Sequence, residues 1–323
     1  MMIKILISGV GGDVAQGVIR SLEKSSLDCC IYKIAFDTNN SWLYLDNFSF
    51  ISPPVADEKY VEYICNFILK HKIDSFIPCI DTEIFKISKN KSYIENKTGA
   101  RVIVGDYDKI QICHDKLKTS HFLKENDFCH PETWPVTEIP SNLNFPLILK
   151  SKNGSGSKNI YEIYNTEDLD LIKYDDDYIL QEKLEGEEYT AGCYLGNDLE
   201  IKGICILKRK LKEGSTYYAE RIIDANMENY IEHIVKKLGL KYVNIQFRIK
   251  DGLPCPFEFN GRFSGTTGII SRVFNAPEMY IRETLLKDNL EKIINYETFH
   301  VMRYYEEIYA SDQDVHDLLE RSK

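Results

Sequence analysis

Several features that would define a protein's chemistry at once are missing from these 323 residues. The nine cysteines include no Cys-x-x-Cys pair and no zinc-ligand spacing, and their number is odd. That excludes a disulfide framework and a structural zinc site. Most of them sit in apolar runs such as GCYLG and GICIL, where cysteine behaves as a small hydrophobe. A reducing, cytoplasmic location is expected. No run approaches the roughly 18 apolar residues that a membrane span requires. The opening MMIKILISGV is read as a short strand, because no cleavage region follows it. Basic residues are outnumbered, 40 Lys and Arg against 50 Asp and Glu, for a net charge of −10. Neither nucleic acid nor an anionic membrane is therefore expected as the main partner. The seven histidines are scattered, and no Ser–His or Cys–His motif, internal repeat or low-complexity segment is present. Hydrophobic content of 43% is ordinary for a globular protein with two or three domains.

The first third alternates strand and helix patterns. Ile3 to Ser8 runs through Gly9, Gly11 and Gly12 into a helix from Asp13 to Lys24. Asp57 to Lys72 and Ile84 to Lys97 read as helices, and Ser75 to Ile80 and Arg101 to Val104 as strands. This pattern predicts a parallel sheet covered on both faces. Glycines before a helix suit a phosphate, and Asp37 follows the next strand, as in a dinucleotide site. A lone glycine fingerprint is weak evidence, and a structural turn is the favoured reading. Asp81, Thr82 and Glu83 lie at a strand C-terminus, where ligands gather. A helix N-cap is the competing role for Asp81 or Thr82.

Further along, FPLILK and NIYEIY flank SKNGSGSK. Strands on both sides exclude a Walker A loop, which runs from strand to helix. A glycine-rich flap folding over phosphates fits, with Lys150 costly to bury unless an anion meets it. Ile110 to Asn126 reads as one amphipathic helix. On the strand from Ile201 to Leu211, Lys208 and Lys210 share a face and Arg209 lies opposite. Two more strands flank Asp251-Gly252, a dipeptide suited to a tight hairpin turn. Gln246, Glu258 and Asn260 then converge as an all-oxygen cluster with Arg262 just beyond. One carboxylate and two amides suit Mg²⁺, with Mn²⁺ as a substitute, although a half-exposed amphipathic hairpin has the same alternation. Ala276 to Lys287 reads as a helix, and the acidic tail from Glu306 as a surface helix.

EFNGR, a Gln on the preceding strand and the following SGTTG together resemble the metal-binding signature of the ATP-grasp superfamily, in its carbamoyl-phosphate-synthase-like branch. That branch usually has Pro where this chain has Gly261. The resemblance covers roughly residues 1 to 290 and follows the family's motif order. It implies a fold of mixed α/β and α+β class: a Rossmann-like pre-ATP-grasp domain over 1–109, an ATP-grasp N-terminal subdomain with its flap over 110–183, and a C-terminal subdomain over 184–323. It further implies ATP as cosubstrate with Mg²⁺. Lys116 and Lys150 would meet the phosphates, with the flap residues Gly154, Ser155 and Gly156. Glu182 would receive the adenine amino group, the backbone of Lys183 and Leu184 would read the purine edge, and Glu188 would bind the ribose. Gln246, Glu258 and Asn260 would hold the metal, while Arg262 and a basic residue near Lys208 and Lys210 would act on the transferring phosphoryl group. The implied activity is a small free-standing ligase that joins a small-molecule carboxylate to an amine through an acyl phosphate, releasing ADP and phosphate. A homodimer is compatible with it. An ATP-grasp kinase or phosphotransferase, or a non-catalytic nucleotide-binding protein, stays open.

Overall fold

A computed structural model describes residues 2–154, 160–171 and 175–323, without the side chains of residues 170 and 171. Three sheets organise it. The first is built from β1 (Ile3–Ser8), β2 (Cys29–Ala35), β3 (Ser49–Ile51), β4 (Ser75–Ile77) and β5 (Arg101–Val102). Its strands are all parallel, in the order β3-β2-β1-β4-β5. Parallel strands need crossovers, and α1 (Asp13–Glu23), α2 (Tyr60–His71) and α3 (Asp81–Thr98) supply them. Ile5, Leu6 and Ile7 of β1 are fully buried, as a strand covered on both faces must be.

The expected helix over Ile110 to Asn126 is instead two, α4 (Tyr107–His114) and α5 (Lys116–Glu125). Asp115 takes an extended conformation and accepts from the backbone N–H groups of Leu117 and Lys118, at 2.9 and 3.2 Å. A side chain that satisfies these orphan donors starts a new helix. The break puts Lys116 in the first turn of α5, where it is buried.

The second sheet, in the order β6-β9-β7-β8, is antiparallel. It comprises β6 (Thr133–Pro135), β7 (Leu147–Ser151), β8 (Tyr161–Ile163) and β9 (Tyr178–Glu182), with the short α6 (Thr166–Leu171). Its core is small: Leu147, Leu149, Ile163, Leu169 and Leu180.

The third sheet has six strands, β10 (Glu188–Leu195), β11 (Ile201–Lys212), β12 (Ser215–Ile222), β13 (Tyr242–Lys250), β14 (Leu253–Asn260) and β15 (His300–Met302). They run antiparallel in the order β14-β13-β10-β11-β12-β15. The helix α7 (Ala225–Leu238) packs on it, with Ile231, Ile234 and Val235 fully buried. Its core is continuous with that of the parallel sheet. Leu6 and Phe76 share a cluster with Val243 and Phe259, while Ile7 and Val18 share another with Tyr194 and Phe263.

Two sequence expectations change near the C-terminus. After α8 (Thr267–Ile270), the helix expected over Ala276 to Lys287 is α9 (Ala276–Ile281) continued by a π turn over Arg282–Leu286. Strand β15 had no clear pattern. The last helix, α10 (Asp312–Arg321), starts later than Glu306 and docks rather than lying on the surface. Leu318 is fully buried, and Ser322 Oγ accepts from Ile51 N at 2.8 Å. It thereby shields the edge strand β3. Among the described residues no helix is long and apolar enough to cross a membrane.

Candidate active site

Register puts the chemistry on one face of the six-stranded sheet. Asp251 and Gly252 both take positive φ, 52° and 80°, which closes β13 and β14 into a tight hairpin. Asn244 then pairs with Asn260, and Gln246 with Glu258. A bulge follows, so that Phe247 pairs with Pro256 and Phe257 is the extra residue. On the other side of β13, Thr190 faces Gln246, and Glu188 of β10 faces Arg209 of β11. Directly paired residues share a face. Arg209, Glu188, Thr190, Gln246, Glu258, Asn244 and Asn260 therefore form one polar surface.

Asn244 and Asn260 are buried, and Gln246 and Glu258 half-buried. Thr190 Oγ1 donates to Asn244 Oδ1 at 3.0 Å, which holds that carboxamide still. Asn260 Nδ2 donates to Glu258 Oε1 at 3.3 Å, leaving Asn260 Oδ1 turned away from this bond. The Gln246 carboxamide makes no hydrogen bond among the described residues. A single carboxylate with neutral amide oxygens fits Mg²⁺ or Mn²⁺, which accept oxygen donors and retain waters. It does not fit zinc: among the described residues no three His, Cys, Asp or Glu side chains cluster.

This surface opens into a cavity of about 390 Å³. Its far wall is the parallel sheet's strand ends, with Gly9, Gly11, Gly12, Asp13, Phe36, Asn40 and Asp81. Arg262 spans the junction, donating to the two Asp81 oxygens at 2.5 and 2.7 Å. Asp81 is thus a clamp for Arg262 and not a helix cap; residue Ile80 holds the N-cap position of α3, without a side-chain bond. Thr82 is exposed and does not cap α3 either. Glu83 is fully buried below, accepting from Ser8 Oγ at 2.5 Å and from the Tyr60 hydroxyl. Burial pushes its carboxyl above the usual range, with those bonds opposing. The Asn40 side chain covers part of the glycine turn. A Cβ on Gly11 would lie 1.7 Å from Asn40 Oδ1, so the carboxamide packs directly on this glycine. Asp37 accepts from Asn39 N at 2.9 Å, a local turn bond.

Lys208 and Lys210 do not reach the cavity, contrary to the sequence reading. Lys208 pairs with Glu220 of β12 at 3.0 Å, and Lys210 lies exposed over the Tyr218 ring. Arg209 lines the cavity instead and donates to Glu188 Oε1 at 3.0 and 2.7 Å. The alternation along β11 was legible in the sequence. Which side faced the hairpin was not, because that depends on pairing Glu188 with Arg209 across strands 21 residues apart.

Lys116 and Lys150, both buried, meet between the two antiparallel sheets. Lys116 Nζ donates to the Gly154 carbonyl at 2.6 Å and Lys150 Nζ to Gln181 Oε1 at 2.7 Å. Burial pushes Lys150 down to about 7, Lys116 adds to the shift, and Glu258 and Glu188 oppose it. Gln181 was not anticipated; it is the buried neighbour of Glu182 on β9. Glu182 Oε2 accepts from Glu132 N at 3.0 Å and Lys250 Nζ at 2.7 Å, so it ties the two sheets together. Lys183 Nζ pairs with Glu162 at 2.8 Å, its backbone N–H lies 3.4 Å from Pro146 O, and Leu184 is buried. Glu188 is held by Arg209 and lies 3.6 Å from Arg248. Ser155 and Gly156 of the flap lie outside the described residues.

The family model of the ATP-grasp domain matches residues 113–266, a span running from Lys116 through the hairpin to the Ser264–Thr266 loop. The chain carries an ATP-grasp domain. It is 26% identical over 205 residues to the carbamoyl phosphate synthase large chain of Thermoanaerobacter sp. (strain X514), covering 56% of this chain and 19% of that one. It is 24% identical over 176 residues to a D-alanine–D-alanine ligase of Bacillus anthracis, covering 46% and 57%. The chain thus spans about a fifth of the synthase large chain. Among solved structures, N5-carboxyaminoimidazole synthetase from Staphylococcus aureus complexed with ADP superposes with a TM-score of 0.74 at 16% identity. That match covers 94% of this chain and 83% of the other. The chain therefore has the ATP-grasp fold, preceded by a parallel α/β sheet.

Proposed function

We propose that this ATP-grasp protein is an ATP- and Mg²⁺-dependent carboxylate–amine ligase that works through an acyl phosphate. The observation that carries this reading is the single polar face from Arg209 to Asn260. It has buried Lys116 and Lys150 on one side and the 390 Å³ cavity with Arg262 on the other. ATP would lie between the two antiparallel sheets, with its phosphates at Lys116 and Lys150. Gln246, Glu258 and Asn260 would hold Mg²⁺, which when bound neutralises charge on the phosphates. Arg262, kept rigid by Asp81, would orient a carboxylate substrate in the cavity. Arg209 would stabilise charge on the γ-phosphoryl group as it transfers. An amine then displaces phosphate from the acyl phosphate. The three sheets support a division at 1–109, 110–183 and 184–323.

The test is a screen of small carboxylates and amines for release of ADP and phosphate. Hydroxylamine should capture the activated acid as a hydroxamate, and ¹⁸O in the carboxylate should pass into phosphate. AMP as product would overturn the mechanism. ADP with a stable phosphorylated acceptor would make the protein a kinase.

A further inference from the structure

A second cavity, of about 450 Å³, lies where the edge of the parallel sheet meets the far end of the six-stranded sheet. It shares no wall residue with the cavity of Arg262. Four cations from four segments reach its wall: Lys91 of α3, Arg101 of β5, Lys241 just before β13 and Lys287 just after the π turn. They face Glu95, Asp106 and Glu283. Glu283 is buried and neutralises Lys241. Its Oε2 accepts from Lys241 Nζ and from the Tyr194 hydroxyl at 3.0 Å, and its Oε1 from Asn197 N at 2.7 Å. Asp106 is exposed, 3.9 Å from Lys109. Glu95 lies 3.9 Å from Arg101 and accepts from Val102 N at 3.0 Å. Among the described residues Lys91 and Lys287 have no carboxylate partner. Their ammonium groups donate to the carbonyls of Val104 and Thr284, both at 2.8 Å and both in the cavity wall. An ammonium carries three donors, so each keeps two. The uncompensated charge of this cavity is therefore positive, in a chain of net charge −10.

We propose that this cavity binds a small organic anion with two or more negative charges, of the polycarboxylate or phosphate-ester class. Lys91 and Lys287 meet it with their spare donors. Arg101, whose carboxylate partner is distant, offers the planar fork that matches carboxylate or phosphate oxygens. Lys241 is a floor and not a ligand, since Glu283 holds it over the rings of Tyr194 and Tyr280, 6.0 and 5.8 Å from their centroids. The volume lies within the roughly 300–1,000 Å³ of small-molecule pockets, and a halide would leave most of it empty. The wall that carries Glu283 and Thr284 is the π turn, a distortion met frequently at functional sites. The site does not depend on nucleotide binding at the hairpin.

The experiment titrates the full chain by calorimetry at low ionic strength, with citrate and glycerol 3-phosphate as probes and acetate as the singly charged control. The expected result is one-to-one binding of at least one probe, at least about tenfold tighter than acetate and weakened by added salt. The tighter probe assigns the ligand to the carboxylate or the phosphate class. Hydrogen exchange should slow over residues 101–106 and 282–287 when that probe is bound. Lys91→Gln and Lys287→Gln should each weaken binding about tenfold, the scale of one charged hydrogen bond. Lys287 is exposed, so its variant keeps the fold even where loss of the Lys91 bond to Val104 does not allow it. Binding of neither probe, or no preference over acetate, would overturn the proposal. Protection confined to residues 244–262 would overturn it too, as would unchanged affinity in Lys287→Gln.

Discussion

Single residues separate the roles most sharply at Glu258 and Lys150. Glu258 is the only carboxylate of the oxygen set, so Glu258→Gln removes its charge with little change of shape. Turnover should fall at least about 100-fold, the scale of losing a few kcal/mol of charge stabilisation. Asn260→Ala should act in the same direction, and circular dichroism should be unaltered in both. Normal turnover in Glu258→Gln would remove the metal assignment. Lys150 makes a different demand. Burial and Lys116 bring it to about 7, so near neutral pH the empty site is only partly protonated there. Polyphosphate would restore the charged form and raise that value. The complex then binds more protons than the free protein above pH 7, and affinity must fall as pH rises through that window, by up to about tenfold per unit. Calorimetry of MgADP binding at pH 8 in buffers of different ionisation heat should report proton uptake. Lys150→Met should abolish both the uptake and the pH slope, and a slope that survives in it would refute the assignment.

Among elements, β11 shows where the sequence was ambiguous. Its alternation placed Lys208 and Lys210 opposite Arg209, but strand alternation has no sign, and only the ladder to Glu188 says which face meets the hairpin. Arg209→Ala should therefore reduce turnover about 10- to 100-fold, as expected for a lost charged hydrogen-bonding group. Lys208→Ala, which removes only a pair with Glu220, should stay within about twofold. Kinetics showing the reverse order would mean that β11 presents its other face to substrate. The hairpin was more legible, because Asp251-Gly252 sets the turn; its register was less so, since the turn alone would pair Gln246 with Phe257 and only the bulge at Phe257 brings Glu258 there. The glycine turn, the parallel sheet and the flanking strands of the flap were legible through their periods. The break at Asp115 was not, since an Asp within a helical run reads equally as a solvated residue, and its capping bonds need the turn to have formed. Nor was the docking of α10: one apolar Leu318 in a charged helix carries almost no pattern. Leu318→Ala should destabilise the protein by about 2 kcal/mol in urea unfolding, at the low end for a buried leucine because the helix is terminal. Any turnover by the folded protein should not change.

At the scale of the whole molecule, the distribution of core decides what can move. The parallel sheet and the six-stranded sheet share two large apolar clusters, whereas the apolar cluster of the four-stranded sheet holds five buried residues among those described. Few buried contacts mean a low free energy of local opening. That sheet is joined to the rest mainly by polar links: Glu182 with Lys250, Lys116 with the Gly154 carbonyl, and the bridge between Asp115 and Asn153. Its amides on β7 and β9 should therefore exchange hydrogen faster than those on β1 or β10. A ligand bound between the sheets stabilises the closed form by mass action. MgADP at saturation should slow exchange in β7 and β9 and leave β1 unchanged, since the parallel sheet's glycine turn does not meet the nucleotide in this reading. NAD discriminates the alternative. The Asn40 carboxamide sits over Gly11, and a dinucleotide, which the proposed ATP site does not use, should slow nothing. Protection of β1 and α1 by NAD, exceeding any effect of ADP on β7 and β9, would put the nucleotide in the first sheet and overturn the ATP site.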